Sequence, residues 1–396
     1  MTDRFRFWFP LACMLAFAFA LATPPFQVPD EVGHYWRAYA IARGELVPTM
    51  LNGRPSALVP LGVRELVANL WVATAGRPEL KVGWPRVRAA ASIPLGRSKP
   101  VSVTFPAHYT PVPYAATALG CWIGETSGMR PLYSFYLGRL LNACALLILI
   151  YASVQRVQSG GFAIAAVGLL PMTLYLAGSY SPDAITIGVA CYVIALVLSP
   201  QPGRRYWVSL FLSALVLSLC KPVYFLLPLL AIVITWSDRK RNLPRYAGLV
   251  AAVIAGVAVS AATAGRAYFP MRADIAIDVA AQVKYVEAHP LRFVLLAGRD
   301  YVEHAAQYAD HFVGHLGWLD IQLPKALVAV VFVLLVIVGL STPGAPNLAT
   351  RISAWAVILV SCLLISLSQY LVWTKVGANA IEGMQGATFS HWHHWL

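Results

Sequence analysis

The chain has 396 residues, 59% of them hydrophobic and 12% charged, with a formal net charge of +13. Soluble domains are about a quarter charged, so a soluble enzyme, a disordered protein and a disulfide scaffold are excluded. A polytopic membrane protein remains, because long apolar runs with few charges need lipid as their solvent.

The first apolar run, Phe7 to Ala22, follows Arg4 and Arg6. No small-x-small cleavage pattern precedes Pro24-Pro25, so it reads as an uncleaved anchor and not as a signal peptide. A polar region, 24–108, comes next. It opens with Pro24-Pro25-Phe-Gln-Val-Pro29-Asp30-Glu31-Val-Gly-His34-Tyr35-Trp36-Arg37. Proline followed by two acids is a helix start, and Gly44 is a stop with Arg43 in the last turn. The spacing predicts a juxtamembrane helix over 30–43. Asp30 and His34, four apart, share one face, and Glu31 and Tyr35 share the next. Two readings stay open: acids that complement the helix dipole, or an acid and imidazole that bind a metal or deprotonate a hydroxyl.

Segment 109–124 is apolar but short, and it carries Pro111 and Pro113. It reads as re-entrant or juxtamembrane, with its free backbone groups against protein or water. Spans follow at 131–152, 162–178, 184–199, 206–219, 222–236 and 246–263. Arg139 lies inside the first of these, where a cation must face the bundle interior and a partner. Asp183 follows Ser181-Pro182 at the start of another, as a helix cap or as a second acid. Lys221 stands between two apolar segments, as a snorkelling lysine or as a phosphate contact. A second polar region, 264–322, contains helices over 274–288 and 291–311. In the latter, Arg299/Glu303 and Asp300/His304 are spaced as ion pairs. Gly314-His-Leu-Gly317-Trp318-Leu-Asp320 then leads to Pro324. There Trp318 suits an interfacial anchor, and Asp320 either caps or joins the site. Spans 323–340 and 353–373 complete nine with the anchor. The tail holds His391, His393 and His394 with no acid or cysteine beside them, too little for a metal site.

The expected architecture is therefore one all-α polytopic membrane domain over 1–396. It has about nine transmembrane helices and two long extracytoplasmic loops, 24–130 and 264–322. Arg239, Lys240, Arg241 and Arg245 mark a cytoplasmic loop, which puts the N-terminus inside and Asp30, Asp183 and Lys221 outside. The excess positive charge suits such loops and anionic headgroups. No soluble basic face exists for nucleic acid. Cys13, Cys121, Cys144, Cys191, Cys220 and Cys362 all sit in apolar stretches and read as small hydrophobes.

Four stretches together resemble a known family. They are Pro29-Asp30-Glu31-x-x-His34-x-x-Arg37-Ala38-x-x-Ile41-Ala42-x-Gly44, Ser179-x-Ser181-x-Asp183-Ala184, Gly314-x-x-Gly317-Trp318-x-Asp320-x-x-x-Pro324 and Gln369-Tyr-x-x-Trp-Thr374. The family is the bacterial polytopic group catalogued as domain of unknown function 2142. It is in turn similar in layout to GT-C glycosyltransferases of the bacterial inner membrane, which use polyprenyl-phosphate sugar donors. That likeness implies transfer to an extracytoplasmic glycan or lipid acceptor. Asp30 would be the catalytic acid of the first loop, with Glu31 beside it and Asp183 as second acid. Lys221 and Arg139 would meet the lipid phosphate. His34, Arg37 and Asp320 are further candidates. A divalent cation, Mg or Mn, would sit on Asp30, Glu31, His34 and Asp183. The rival expectations are a lipid-linked glycan transporter or flippase without catalysis, and an inactive assembly subunit. The latter arises because Gly383-Met384-Gln385-Gly386-Ala387-Thr388-Phe389 departs from the family's Gly-x-Gln-Gly-Arg-Tyr-Phe and the sequence then stops.

Overall fold

The computed structural model describes residues 8–71, 80–97, 101–105, 109–157, 160–201, 203–267, 277–318, 320–340 and 347–383. Arg4, Arg6 and the tail histidines lie outside them. In lipid a chain must satisfy its own backbone polar groups, and the apolar runs do so as helices. The anchor is α1 (Trp8–Ala22) and the juxtamembrane helix is α2 (Glu31–Ala42). Gly44 ends α2 as expected: it takes φ +87°, and the Glu45 N–H donates back to the Ala40 carbonyl.

The first polar region is not purely helical. β1 (Thr49–Leu51) and β2 (Arg54–Val59) pair as an antiparallel hairpin, and β3 (Val101–Thr104) adds to the far side of β2. The hairpin turns at Asn52-Gly53, both with positive φ (53° and 73°), a strong two-residue turn signal. The all-α expectation missed that pair. Helices α3 (Leu61–Leu70) and α4 (Trp84–Ala90) complete the region.

Segment 109–124 becomes a short 3-10 turn, Val112–Tyr114, followed by α5 (Ala115–Thr126). Its 12 residues rise about 18 Å, less than the roughly 30 Å of a hydrocarbon core. α5 packs antiparallel on α6 (Pro131–Arg156) at a glycine crossing. A Cβ on Gly120 would lie 2.5 Å from the Gly138 Cα, so the two backbones touch.

Then come α7 (Gly161–Gly168), α8 (Pro171–Ala177), α9 (Asp183–Leu198), α10 (Arg204–Cys220), α11 (Leu230–Ile234) and α12 (Arg239–Ala267). Among the described residues three helical runs are long and apolar enough to cross a bilayer: Pro131–Arg156, Trp236–Arg266 and Leu348–Val372. Trp8–Ala22, Asp183–Leu198 and Lys325–Leu340 are shorter apolar helices. Among the described residues, two of the nine expected spans are not continuous helices. Span 162–178 breaks into α7 and α8, because Pro171 forces Leu170 into extended backbone (ψ 135°). Span 222–236 is largely turns: Pro222 opens a 3-10 turn, and α-helix resumes only at Leu230.

The second polar region holds α13 (Val279–Ala288), α14 (Pro290–Glu303) and α15 (Ala305–Gly314), then a small hairpin of β4 (His315–Leu316) and β5 (Ile321–Gln322). Expected helix 291–311 is thus two helices that meet at His304. Arg299 and Glu303 pair at 2.7 Å on the exposed face. Asp300 is buried instead; it meets His304 at 3.2 Å and accepts from the Tyr308 hydroxyl. α16 (Lys325–Leu340) and α17 (Leu348–Val372) follow. All six cysteines are free, as read from the sequence. An aromatic core of Phe26, Tyr35, Phe135 and Tyr180 joins the first polar region to α6.

Candidate functional site

The opening motif divides at one peptide bond. Asp30 adopts left-handed backbone (φ 58°, ψ 4°), uncommon for a residue with a side chain. Its carboxylate makes no capping bond to α2, which removes the simplest structural explanation for it. Glu31 points the other way, into the protein, with its side chain fully buried. There its Oε1 accepts from Arg139 Nε at 2.8 Å and its Oε2 from Arg139 Nη2 at 2.6 Å. The same carboxylate accepts the N–H groups of Phe26 (2.9 Å) and Tyr180 (3.2 Å). Arg139 spends its remaining donors on the carbonyls of Ala20, Thr23 and Pro24, and its guanidinium lies 4.7 Å from the Phe135 ring centroid. A carboxylate and a guanidinium so completely bonded have no capacity left for a substrate. The expectation that Arg139 binds phosphate, and that Glu31 is catalytic or a metal ligand, is corrected on this point. Burial seals both groups.

Asp30 belongs to a second, open group. It is exposed at its surface, yet protein lies close around its carboxyl. That surrounding protein raises its carboxyl above the ordinary carboxylate value, and the charge of Asp183 adds to the rise. Asp183 starts α9 and pairs with Lys221 Nζ at 2.5 Å; the two side chains keep 27% and 26% of their surface accessible. Lys221 stands where α10 ends, in extended backbone just before Pro222. Burial opposes its charge, but the Asp183 carboxylate more than offsets that and holds the ammonium above its usual value. His34, one turn after Asp30, lies with Nδ1 2.8 Å from the Tyr114 hydroxyl. Tyr109 feels the charges of Lys221, Asp183 and Asp30 together. Thr110 ties this segment to the end of α10 by donating to the Leu219 carbonyl at 2.7 Å.

Asp30, His34, Asp183 and Lys221 come from three separate stretches and lie close enough for their charges to act on one another. Arg37 does not join them. It is fully buried and donates to the carbonyls of Glu45 (3.1 Å) and Leu46 (2.8 Å), which locks the exit of α2. Asp320 does not join them either. It pairs with Lys81 and accepts the Trp318 N–H at 2.7 Å, closing the turn at Gly317. Trp318, expected as a membrane anchor, donates its indole N–H to the Phe26 carbonyl at 3.1 Å. Tyr175 reaches the carbonyls of both Gln27 (2.7 Å) and Gly317 (3.2 Å). The Gly-Trp-x-Asp stretch therefore braces the loop that carries Asp30.

The expected cation does not fit these residues. Among the described residues no group of three or more His, Cys, Asp or Glu side chains is arranged to hold a metal. Glu31 is committed to Arg139 and Asp183 to Lys221. Reading the sequence missed Tyr109, Tyr114 and Tyr224 as site residues. Tyr224 feels the charges of Lys221 and Asp183. The available signal was Tyr109-Thr-Pro-Val-Pro-Tyr114, two tyrosines held by a proline-stiffened turn.

No curated protein and no solved structure matches the chain. A family model described as "Predicted membrane protein (DUF2142)" matches residues 13–387. That stretch takes in the buried Glu31–Arg139 pair, the open Asp30–Asp183–Lys221 group and the Gly317-Trp318 brace, and so the chain belongs to this family of membrane proteins.

Proposed function

We propose that this protein is a GT-C-like membrane glycosyltransferase. It moves a sugar from a polyprenyl-phosphate-linked donor to an extracytoplasmic glycan or lipid acceptor. The observation that supports the reading best is Asp30: an accessible, uncapped acid in strained backbone, facing a carboxylate–ammonium pair. Strained backbone of this kind is retained where surrounding structure imposes it, often at working sites. A carboxylate whose affinity for protons is raised is the better general base.

In the proposed step, Asp30 takes the proton of the acceptor hydroxyl. The acceptor oxygen bonds to the anomeric carbon as the bond from that carbon to the phosphate oxygen breaks. The lipid phosphate leaves with the electron pair, and Lys221 offsets its charge. Asp183 keeps Lys221 charged and aimed until the phosphate arrives. His34, held by the buried Tyr114 hydroxyl and partly exposed, lines the acceptor side as a donor or acceptor for sugar hydroxyls. No step needs a metal. With the N-terminus cytoplasmic, the group opens at the outer boundary of the membrane.

The test is transfer from a panel of labelled polyprenyl-phosphate sugars in membranes expressing the chain or its Asp30→Asn form. Asn keeps the size and removes the base, so transfer should fall roughly 10²–10⁴-fold with the protein level unchanged. Equal transfer by the two proteins would end the assignment.

A further inference from the structure

The buried Glu31–Arg139 pair touches nothing that reacts, yet the peptide segments it binds are those that carry the two open acids. Glu31 is bonded to the chain at Asp30, and its carboxylate also accepts the N–H of Tyr180, three residues before Asp183. Arg139 grips the carbonyls of Ala20, Thr23 and Pro24, on the approach to Asp30. One turn along α6, Asn142 donates to the carbonyls of Ser179 (2.8 Å) and Ser181 (3.2 Å), on the approach to Asp183. Next to Arg139, Gly138 leaves the notch that the Tyr180 ring occupies: a Cβ there would stand 2.1 Å from the Tyr180 hydroxyl oxygen. One face of α6, residues 138–142, thus holds both acid-bearing segments.

We infer that Glu31 and Arg139 are positioning residues, and that their ion pair sets the separation between Asp30 and Asp183. This rests on the reading of those two acids as one site. The physical reason lies in what a buried ion pair is good for. Removing two charges from water cancels most of their attraction, so such a pair adds little net stability over a packed apolar one. What it does impose is geometry. The planar guanidinium fork accepts partners only along fixed directions, and each of its bonds here ends on a group whose placement decides where an acid points. The left-handed turn at Asp30 is held from both sides, by Glu31 after it and by the Arg139-bound carbonyls before it.

The experiment reads separation directly and leaves transfer out. Asp30→Cys and Asp183→Cys are combined in the full chain, in membranes, and a short bis-maleimide is added; peptide mass spectrometry identifies the 30–183 bridge. Bridging is expected in this protein. Adding Arg139→Gln should lower the bridge yield roughly tenfold, since intramolecular yield follows effective concentration, while size-exclusion elution stays that of folded protein. Arg139→Lys, which keeps the charge but not the fork, should also lower it; a mere charge requirement predicts full rescue and would overturn the inference. A yield unchanged by Arg139→Gln in folded protein would overturn it too. Loss of folded protein with Arg139→Gln, Arg139→Lys and Glu31→Gln alike would assign the pair to stability and overturn it as well. Absence of the bridge before any change at Arg139 would count against the shared site, and so against the proposed function.

Discussion

Glu31–Arg139 and Asp183–Lys221 are both acid–base pairs in the same part of the molecule, but their surroundings have made them opposites. The first is sealed, with 0% of either side chain accessible, and every charged group is met by a second or third partner. The second keeps about a quarter of its surface open, and beside it stands Asp30, whose carboxylate is not engaged in capping. Charge alone does not mark a working group. Spare bonding capacity and access do, and both follow from which way a backbone turns. Adjacent residues Asp30 and Glu31 fall on opposite sides of that divide because the left-handed step at Asp30 turns one out and the helix turns the next in.

The contrast breaks first on stability. Arg139→Gln leaves Glu31 buried and unpaired, which costs about 3–5 kcal/mol. Lys221→Gln removes a partly solvated partner and costs about 1 kcal/mol or less. Unfolding of the two variants in mixed detergent micelles should show that order, and similar losses would erase the distinction between the pairs. A smaller effect tests the brace behind Asp30. Gly317 holds φ +65°, and a Cβ there would lie 2.3 Å from Asp320 Oδ1. Gly317→Ala should cost about 1–3 kcal/mol and speed proteolysis between α15 and α16. Wild-type proteolysis rates would show that the turn tolerates a side chain.

The smallest effect sharpens the contrast through pH. The Asp30 carboxyl, though open at its surface, has its folded pKa raised by partial desolvation from the protein around it and by the charge of Asp183. The folded state therefore binds its proton more tightly than the unfolded state. Its contribution to stability is full below the unfolded pKa, near 3.9, and is lost as pH rises through the folded value. Above that value the ionised Asp30 is a liability. Asp30→Asn should therefore melt slightly higher than the parent at pH 7 to 8, and the gap should close toward pH 4. A lower melting temperature for Asp30→Asn at neutral pH would mean that the carboxylate stabilises the fold after all.

Several parts of this arrangement were legible in the residues. Pro29-Asp30-Glu31 announced a helix start and Gly44 its stop, because an acid in the first turn and a glycine in left-handed backbone after the last are local preferences of the chain. That Arg139 needs an acid followed from the cost of a charge in lipid, but which acid did not. Glu31 lies 108 positions away, and the pairing exists only once α6 packs beside the chain between α1 and α2. Asn52-Gly53 carried the hairpin signal and was overlooked.

By itself the sequence determined the membrane class, the family, the placement of α1, α2, α6 and α17, and the presence of acids and cations at the ends of apolar segments. These rest on composition and on short-range backbone preference. Only the tertiary structure decided which charges are sealed and which are open, that Asp320 and Trp318 brace the loop and do not reach the site, and that Tyr109, Tyr114 and Tyr224 join it. The physical reason is that a side chain's chemistry is set by desolvation and by its partners. Here those partners come from segments tens to hundreds of residues apart, brought together only by packing on α6 and at the end of α10.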